Sequence, residues 1–183
     1  MDMNAREDLK EIVAACQAGS NEAFGRLVDM YASRCYSYFY RLTGNAEVSD
    51  DLLSKLFLKL VEKIGTFKLA SGSFEKWLFT VASNIFRDHL RRQYRQKKLL
   101  AAKARELRTE TPPAKADAEM IDKLQVQMAK LDAETRELLM LRFYGRLTFR
   151  EIAGIRSEPV GTVLSKVHRG LKKLRELMGH YCD

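Results

Sequence analysis

Apolar side chains recur every three or four residues along most of the chain, which is the spacing of one face of an α-helix. The turn residues Gly44-Asn45 and a loop over 65–73 interrupt this pattern in the first half, so it predicts several separate helices. Ser49 is the predicted N-cap of the second long helix, because Asp50 and Asp51 follow it in the electropositive first turn. We therefore expect a helical bundle over about residues 5–95. Its apolar stripes run through Leu9–Cys16, Phe24–Leu42, Leu52–Ile64 and Phe74–Phe86.

A basic stretch and a proline-containing segment separate this bundle from the rest of the chain. Between Arg87 and Arg108 there are nine Lys or Arg residues. The segment Thr109–Asp117 then contains Pro112-Pro113, which a continuous helix does not tolerate. Helical spacing resumes at Met120. The predicted fold is all-α, with two small helical domains over 1–98 and 120–183 joined by a flexible linker over 99–119.

The second domain contains the pattern of a helix-turn-helix. Asp132 is placed to cap one helix, and Thr148 with Glu151 forms a capping box that opens a short helix. A turn over 156–159 leads into a longer basic helix over 160–178. A capped short helix, a tight turn and a longer basic helix are typical of DNA-binding proteins.

The longer helix has one apolar face and one basic face. Val163, Val167 and Leu171 are predicted to face inward. The small residues Gly161 and Thr162 at its start allow a phosphate to approach the backbone N–H groups. The polar side chains on the remaining circumference are Ser165, Lys166, Arg169, Lys172 and Lys173.

Composition narrows the classes of protein that fit. The chain of 183 residues carries 32 Lys and Arg against 24 Asp and Glu, a formal net charge of +8. An excess of this size favours a polyanionic partner, of which nucleic acid is the simplest. No apolar run is long enough to span a membrane and the N-terminus lacks a signal-peptide pattern, so we expect no membrane insertion. Cys16, Cys35 and Cys182 lie far apart and are read as reduced thiols, which favours the cytoplasm.

The sequence shows no pattern of a catalytic or metal-binding site. There is no nucleophile–base pair, phosphate-cradling glycine loop or Cys/His cluster, and His168 has no second ligand one helical turn away. We expect a protein that is not an enzyme and has no cofactor, metal or small-molecule substrate.

Two blocks of residues, in a fixed order, resemble a known family. Leu141-Arg-Phe-Tyr-Gly145, Glu151-Ile-Ala153 and Pro159-Val-Gly-Thr-Val163 resemble the promoter −35-binding domain of the extracytoplasmic-function sigma factors of bacterial RNA polymerase. Asp51-Leu52, Phe57-Leu58, Trp77-Leu78 and Ala82-Ser-Asn84 resemble the core-polymerase and −10-binding domain of the same family. The resemblance covers most of residues 20–178, and the pair of blocks is more specific than either block alone.

This resemblance implies partners and sites. The partners would be core RNA polymerase, double-stranded promoter DNA and the unpaired −10 strand, and an anti-sigma factor is a further candidate. The residues implied in −35 binding are Gly161, Thr162, Ser165, Lys166, His168, Arg169, Lys172 and Lys173. Those implied in −10 binding are Phe67, Lys68, Thr80, Asn84, Arg87 and Arg91, and Trp77 is expected to pack in the core. Those implied in polymerase binding are Asp51, Ser54, Lys55, Leu58 and Glu62.

The chain departs from the family pattern at several functional positions. Ser54-Lys55 stands where relatives usually carry Gln-Glu, and Ser83 precedes Asn84 in place of Arg. Arg156 and Glu158 replace residues that are usually apolar, and Leu164 replaces a basic residue before Ser165. We expect polymerase binding and promoter preference to differ from those of relatives.

Two other functions fit parts of the sequence. One is a helix-turn-helix transcription regulator that acts without polymerase; it needs a dimerisation face, and it leaves the first domain unexplained. The other is an RNA-binding protein that uses the basic stretch from Arg87 to Arg108, but no aromatic-rich RNA-binding motif supports it.

Overall fold

The computed structural model describes residues 3–68, 72–106 and 123–179. Within these ranges the regular structure is helical, without a strand. None of the described helices has the length and apolar character needed to cross a membrane. The N-terminal unit consists of α1 (Met3–Gln17), α2 (Asn21–Thr43), α3 (Ala46–Lys63), a 3₁₀ turn (Ile64–Thr66) and α4 (Phe74–Glu106). The C-terminal unit consists of α5 (Lys123–Ala129), α6 (Ala133–Phe143), α7 (Phe149–Arg156) and α8 (Val160–Met178).

Local chemistry explains where α2 ends and α3 begins. Gly44 adopts a left-handed φ of 67°, which costs glycine little, and its N–H donates to the Tyr40 carbonyl. The Asn45 side chain then accepts from the backbone N–H of Val48 and caps α3. The predicted N-cap at Ser49 is therefore wrong. Ser49 is buried inside the helix, where its hydroxyl bonds to the Asn45 carbonyl and to Thr43.

Helix α2 lies at the centre of the N-terminal unit and contacts both α1 and α3. Tyr38 and Phe39 on α2 are fully buried, and the ring of Phe79 on α4 packs edge-on against Tyr38. Leu52, Leu56 and Leu60 close this core from α3. The predicted apolar stripes thus form one continuous interior.

The last helix of the N-terminal unit is longer than its apolar stripe. Residues 99–106, which the sequence assigns to the linker, continue α4 to Glu106. Every residue from Arg91 to Leu100 is exposed, so this part of the helix carries the basic stretch without packing against a core. The predicted linker segment Thr109–Asp117 lies outside the described residues.

The C-terminal unit has the predicted helix-turn-helix. Asp132 caps α6 by accepting from the N–H of Thr135, and the capping box of Thr148 and Glu151 opens α7. Ser157 ends α7 in the left-handed conformation, with φ 55°, and Pro159 leads into α8. Helices α6 and α8 cross closely at Gly170, where an added Cβ would lie 2.5 Å from Cγ2 of Thr135. A side chain at position 170 would push α8 away from α6.

The two units pack against each other, an arrangement that the sequence left open. Helix α2 contacts α5 and α6, and α4 contacts α7. Arg34 on α2 donates to the carbonyl oxygens of Tyr144 and Gly145 just beyond α6. In the other direction, Nη1 of Arg136 on α6 donates to the Leu42 carbonyl at 2.9 Å. Each arginine satisfies carbonyl groups at the end of a helix in the opposite unit, where no intrahelical N–H is available.

Candidate nucleic-acid and polymerase interfaces

Helix α8 presents the predicted −35 residues on the surface of the C-terminal unit. Val163, Val167 and Gly170 are buried against the unit. Because successive residues turn by 100°, the side chains between these positions point away from the core. The exposed residues are Gly161, Thr162, Ser165, His168, Arg169, Lys172 and Lys173. The structure thus brings seven of the eight predicted residues to one exposed surface.

Lys166 is the eighth predicted residue and lies in a different environment. Its Nζ is 2.6 Å from Oε1 of Glu134 on α6 and 2.7 Å from Oε2 of Glu158 in the turn before α8. The hydrogen bonds to Glu134 and Glu158 raise the pKa of Lys166 above its ordinary value. Its charge is therefore shared with two carboxylates, whereas Arg169 lies one turn further along the exposed face.

Arg156 ties the helix-turn-helix to α6. Its guanidinium contacts Oε2 of Glu137 at 2.6 Å, Oε1 of Glu134 at 2.8 Å and Oε1 of Glu158 at 3.1 Å. Burial lowers the pKa of Arg156, but the surrounding carboxylates raise it by more, with the charge of Glu137 making the largest single contribution among them. The net effect is a pKa above the ordinary value. No sequence motif assigns Glu134 or Glu137 a role, because their partners are distant in sequence.

Among the predicted −10 residues on α4, Arg87 contacts the C-terminal unit. Asn84 and Arg91 are exposed, and Thr80 is half-buried with its hydroxyl donating to the Lys76 carbonyl at 2.6 Å. Arg87 is held by the C-terminal unit, because its Nε donates to Oε1 and Oε2 of Glu137 at 3.1 and 3.3 Å. Arg87 is therefore already bound to a carboxylate of the C-terminal unit.

Phe67, which the family resemblance implies in −10 binding, is buried. Its side chain is 5% exposed and lies within an aromatic cluster with Phe74 and Trp77, at ring-centroid distances of 5.6 and 5.4 Å. The ring is thus not available to stack on a base in this conformation, because core packing is a better environment for it than the loop surface. Lys68 is exposed beside it, and Trp77 is half-buried and packs against the core, in agreement with its expected packing role.

Gln17 is a positioning residue that motif reasoning missed. Its Nε2 donates to the carbonyl oxygens of Ile64 and Phe67, each at 2.9 Å. The end of α1 therefore holds both ends of the turn from which the 65–73 loop departs. The only signal in the sequence is the position of Gln17 at a helix end, which does not indicate what it contacts.

The predicted polymerase-binding residues share the outer side of α3. Asp51, Ser54, Lys55, Leu58 and Glu62 are all exposed. Lys55 pairs with Asp51, and Lys59 lies 2.9 Å from Glu62. Leu58 and its neighbour Val61 are 65% and 58% exposed. Large apolar side chains flanked by charged pairs are typical of a protein–protein contact surface.

Family models match both units of the chain. Sigma-70 region 2 matches residues 27–96, and Sigma-70 region 4 matches residues 127–176. The first match covers most of α2, all of α3 and most of α4, and the second covers α6, α7 and nearly all of α8.

Curated proteins resemble the chain over most of its length. RNA polymerase sigma factor CarQ of Myxococcus xanthus is 31% identical over 165 residues, which are 88% of this chain and 92% of that protein. ECF RNA polymerase sigma factor SigW of Bacillus subtilis is 25% identical over 96% of this chain and 97% of its own length. ECF RNA polymerase sigma factor BldN of Streptomyces coelicolor is 29% identical over 93% of this chain, which spans 66% of that longer protein.

Solved structures share the fold. The sigma factor RpoE, in complex with the anti-sigma factor NepR from Bartonella quintana, has a TM-score of 0.62 at 19% identity and covers 97% of this chain and 98% of its own. CnrH, in complex with the cytosolic domain of CnrY, has a TM-score of 0.63 at 21% identity over 93% of this chain and 96% of its own.

Proposed function

Because this chain belongs to the extracytoplasmic-function sigma factors of bacterial RNA polymerase, we propose that it binds core polymerase in the cytoplasm and directs it to specific promoters. Its function is that of a dissociable transcription initiation factor, and its regions 2 and 4 act on different parts of one promoter. The observation that carries this proposal is the α8 surface, where a buried apolar face orients seven predicted DNA-binding residues outward.

For the −35 element, α8 enters the major groove of double-stranded DNA. Gly161 and Thr162 form the exposed start of the helix, where the backbone N–H of Gly161 faces an approaching phosphate while that of Thr162 donates to the Pro159 carbonyl at 3.0 Å. Ser165, His168 and Arg169 then lie in the first half of the helix, the part that contacts base edges in helix-turn-helix proteins. Lys172 and Lys173 lie further along and bind the phosphate backbone.

For the −10 element, the exposed face of α4 contacts the unpaired strand. Asn84 and Arg91 lie two helical turns apart on this face, with Arg87 between them and Thr80 one turn before. Lys68 lies at the start of the adjacent loop. Stacking a captured base on protein contributes roughly 1–3 kcal/mol, comparable to the few kcal/mol needed to flip a base, so strand opening needs the complete polymerase.

For polymerase, the outer side of α3 is the docking surface, and an anti-sigma factor is a further candidate partner. Leu58 and Val61 supply apolar contact area, while Asp51 and Glu62 supply charge. Lys55 reverses the charge that relatives usually have at this position, which changes the electrostatic match to polymerase.

Reconstituted transcription tests this function. The purified chain is added to bacterial core RNA polymerase with a library of double-stranded promoter fragments, and the transcripts are sequenced. Initiation at a specific subset of fragments is expected only when both components are present. A matched reaction uses Ser33→Ala, an exposed position on α2 outside all three surfaces, which should behave like the wild type. Sequence-specific DNA binding without polymerase, and no specific initiation with it, would instead support a regulator that acts alone.

A further inference from the structure

A buried carboxylate lies at the boundary between the two units. Glu137 on α6 is 2% exposed. Its oxygens accept from the hydroxyl of Ser83 and from Nε of Arg87, both on α4, and from Nη1 of Arg156 on α7. Two of its three partners therefore belong to the opposite unit.

The residues around Glu137 include three of the chain's departures from the family pattern. Ser83 stands in place of Arg and donates to Glu137. Arg156 stands in place of an apolar residue and contacts Glu137 as well as Glu134. Glu158, also in place of an apolar residue, accepts from Arg156 and from Lys166. Departures far apart in sequence thus meet in one polar cluster, which marks the contact between the units as a feature of this chain.

The cluster balances charge only while the units are in contact. Its three carboxylates, Glu134, Glu137 and Glu158, are paired with Arg87, Arg156 and Lys166. A carboxylate that is withdrawn from water needs such partners, and separation of the units removes Ser83 and Arg87 from Glu137. The same contact withdraws Arg87 from the −10 face, because Glu137 occupies its Nε.

With its two units packed together, the protein is too small to reach both elements of a promoter. A compact chain of 183 residues has a radius of gyration of about 16 Å. The −10 and −35 elements are separated by about 25 base pairs, or about 85 Å of B-form DNA. The units have to separate for both DNA-binding faces to reach their elements, and the contact between Arg87 and Glu137 has to break.

We propose that Glu137 is an intramolecular latch, which holds region 4 against region 2 through Ser83 and Arg87 and thereby withholds Arg87, the central cation of the −10 face, from DNA in the free protein. The proposal rests on the assignment of the −10 face to α4. DNA strands and Glu137 compete for the same guanidinium, so free protein binds unpaired DNA with an affinity reduced by the small fraction of open molecules. Polymerase that binds the open form shifts this equilibrium.

The test uses the full chain without polymerase and two variants of the latch. Glu137→Gln removes the charge that holds both units. Ser83→Ala removes one hydrogen bond from the α4 side and leaves every charged group and the whole C-terminal unit unchanged. Glu11→Gln, exposed on α1, is the control for loss of a negative charge, and Ser33→Ala is the control for loss of a hydroxyl. Circular dichroism and thermal melting establish that each variant is folded.

Two quantities are measured: the radius of gyration by small-angle X-ray scattering, and the affinity for a fluorescent, randomised single-stranded DNA oligonucleotide. Glu137→Gln is expected to increase the radius of gyration and to raise the affinity by about fivefold or more, as the open fraction grows. Ser83→Ala should shift both quantities in the same direction by less, and both controls should match the wild type.

The outcomes separate the latch from the site assignment. An unchanged radius of gyration in both folded variants overturns the latch, and an increased radius without a gain in affinity overturns the withholding of Arg87 from DNA. Adding Asn84→Ala to Glu137→Gln tests the assignment independently. If the double variant retains the full gain in affinity while the radius remains large, the −10 assignment fails and the latch stands.

Discussion

At the scale of single residues, Arg169 separates base reading from phosphate binding. It is exposed on α8 one turn beyond Ser165, and Lys172 lies nearly one turn further along. If Arg169 reads a base, Arg169→Ala should weaken −35 binding by about 1–3 kcal/mol and relax the preference at one position. Lys172→Ala should weaken binding equally on all sequences and lower the salt slope by about one charge. Promoter affinity of the reconstituted holoenzyme across a salt series measures both, and no loss from Arg169→Ala would contradict the α8 assignment.

The ion pairs of Glu158 are expected to make the stability of the folded protein depend on pH. The hydrogen bond from Lys166, followed by contacts with Arg156, lowers the pKa of Glu158 in the folded state. A carboxylate whose pKa is lower in the folded than in the unfolded state stabilises the fold at pH values above its unfolded pKa of about 4.3. This stabilisation is lost as the pH falls through the folded pKa. Glu158→Gln should therefore lower the melting temperature at neutral pH and narrow the gap to wild type below about pH 4. Melting curves between neutral pH and pH 3 test this, with Glu176→Gln, exposed on α8, as the control.

At the scale of secondary-structure elements, the exposed charged residues of α3 are expected to bind polymerase but to contribute little to the stability of the fold. Asp51 and Glu62 pair with Lys55 and Lys59 on the exposed side of the helix, and such pairs contribute about 0.3–0.5 kcal/mol each. Charge reversal of both acidic residues to Lys should therefore leave the melting temperature nearly unchanged while it weakens binding to core polymerase. A pull-down with immobilised core polymerase measures the effect. Equal recovery of the double variant and the wild type would exclude this face of α3.

At the scale of the whole molecule, the boundary between the units is expected between Thr109 and Asp117. This segment lies outside the described residues, so the prediction rests on its sequence, in which Pro112-Pro113 interrupts two helical patterns. Limited proteolysis followed by mass spectrometry should show first cleavage in this segment, because the helices that pack in the two cores, such as α3 and α8, resist local unfolding. First cleavage within 50–64 or 160–175 would contradict the division into two units.

The helices themselves were predictable from sequence because their signals are local. Apolar spacing placed α2, the apolar part of α4 and α8, and the capping residues Asp132 and Thr148 placed the starts of α6 and α7. These caps bond to backbone N–H groups three residues away, so the information lies within one turn. The error at Ser49 shows the limit of such signals: Asn45 is an equally good cap, and Ser49 finds partners inside the helix.

Sequence alone thus determined the all-helical fold, the order of the two units and the outward face of α8. Tertiary structure decided which polar side chains form hydrogen bonds and ion pairs with distant parts of the chain. The contacts of Arg87 with Glu137 and of Arg34 with Gly145 join residues 50 and 111 positions apart, and no local pattern specifies them. The burial of Phe67 was also decided by tertiary structure. The sequence does not distinguish an exposed loop aromatic from a buried one, whereas the structure places the rings of Phe74 and Trp77 against Phe67. Helix formation depends on neighbours within a few residues, whereas burial and ion pairing depend on which distant surfaces meet.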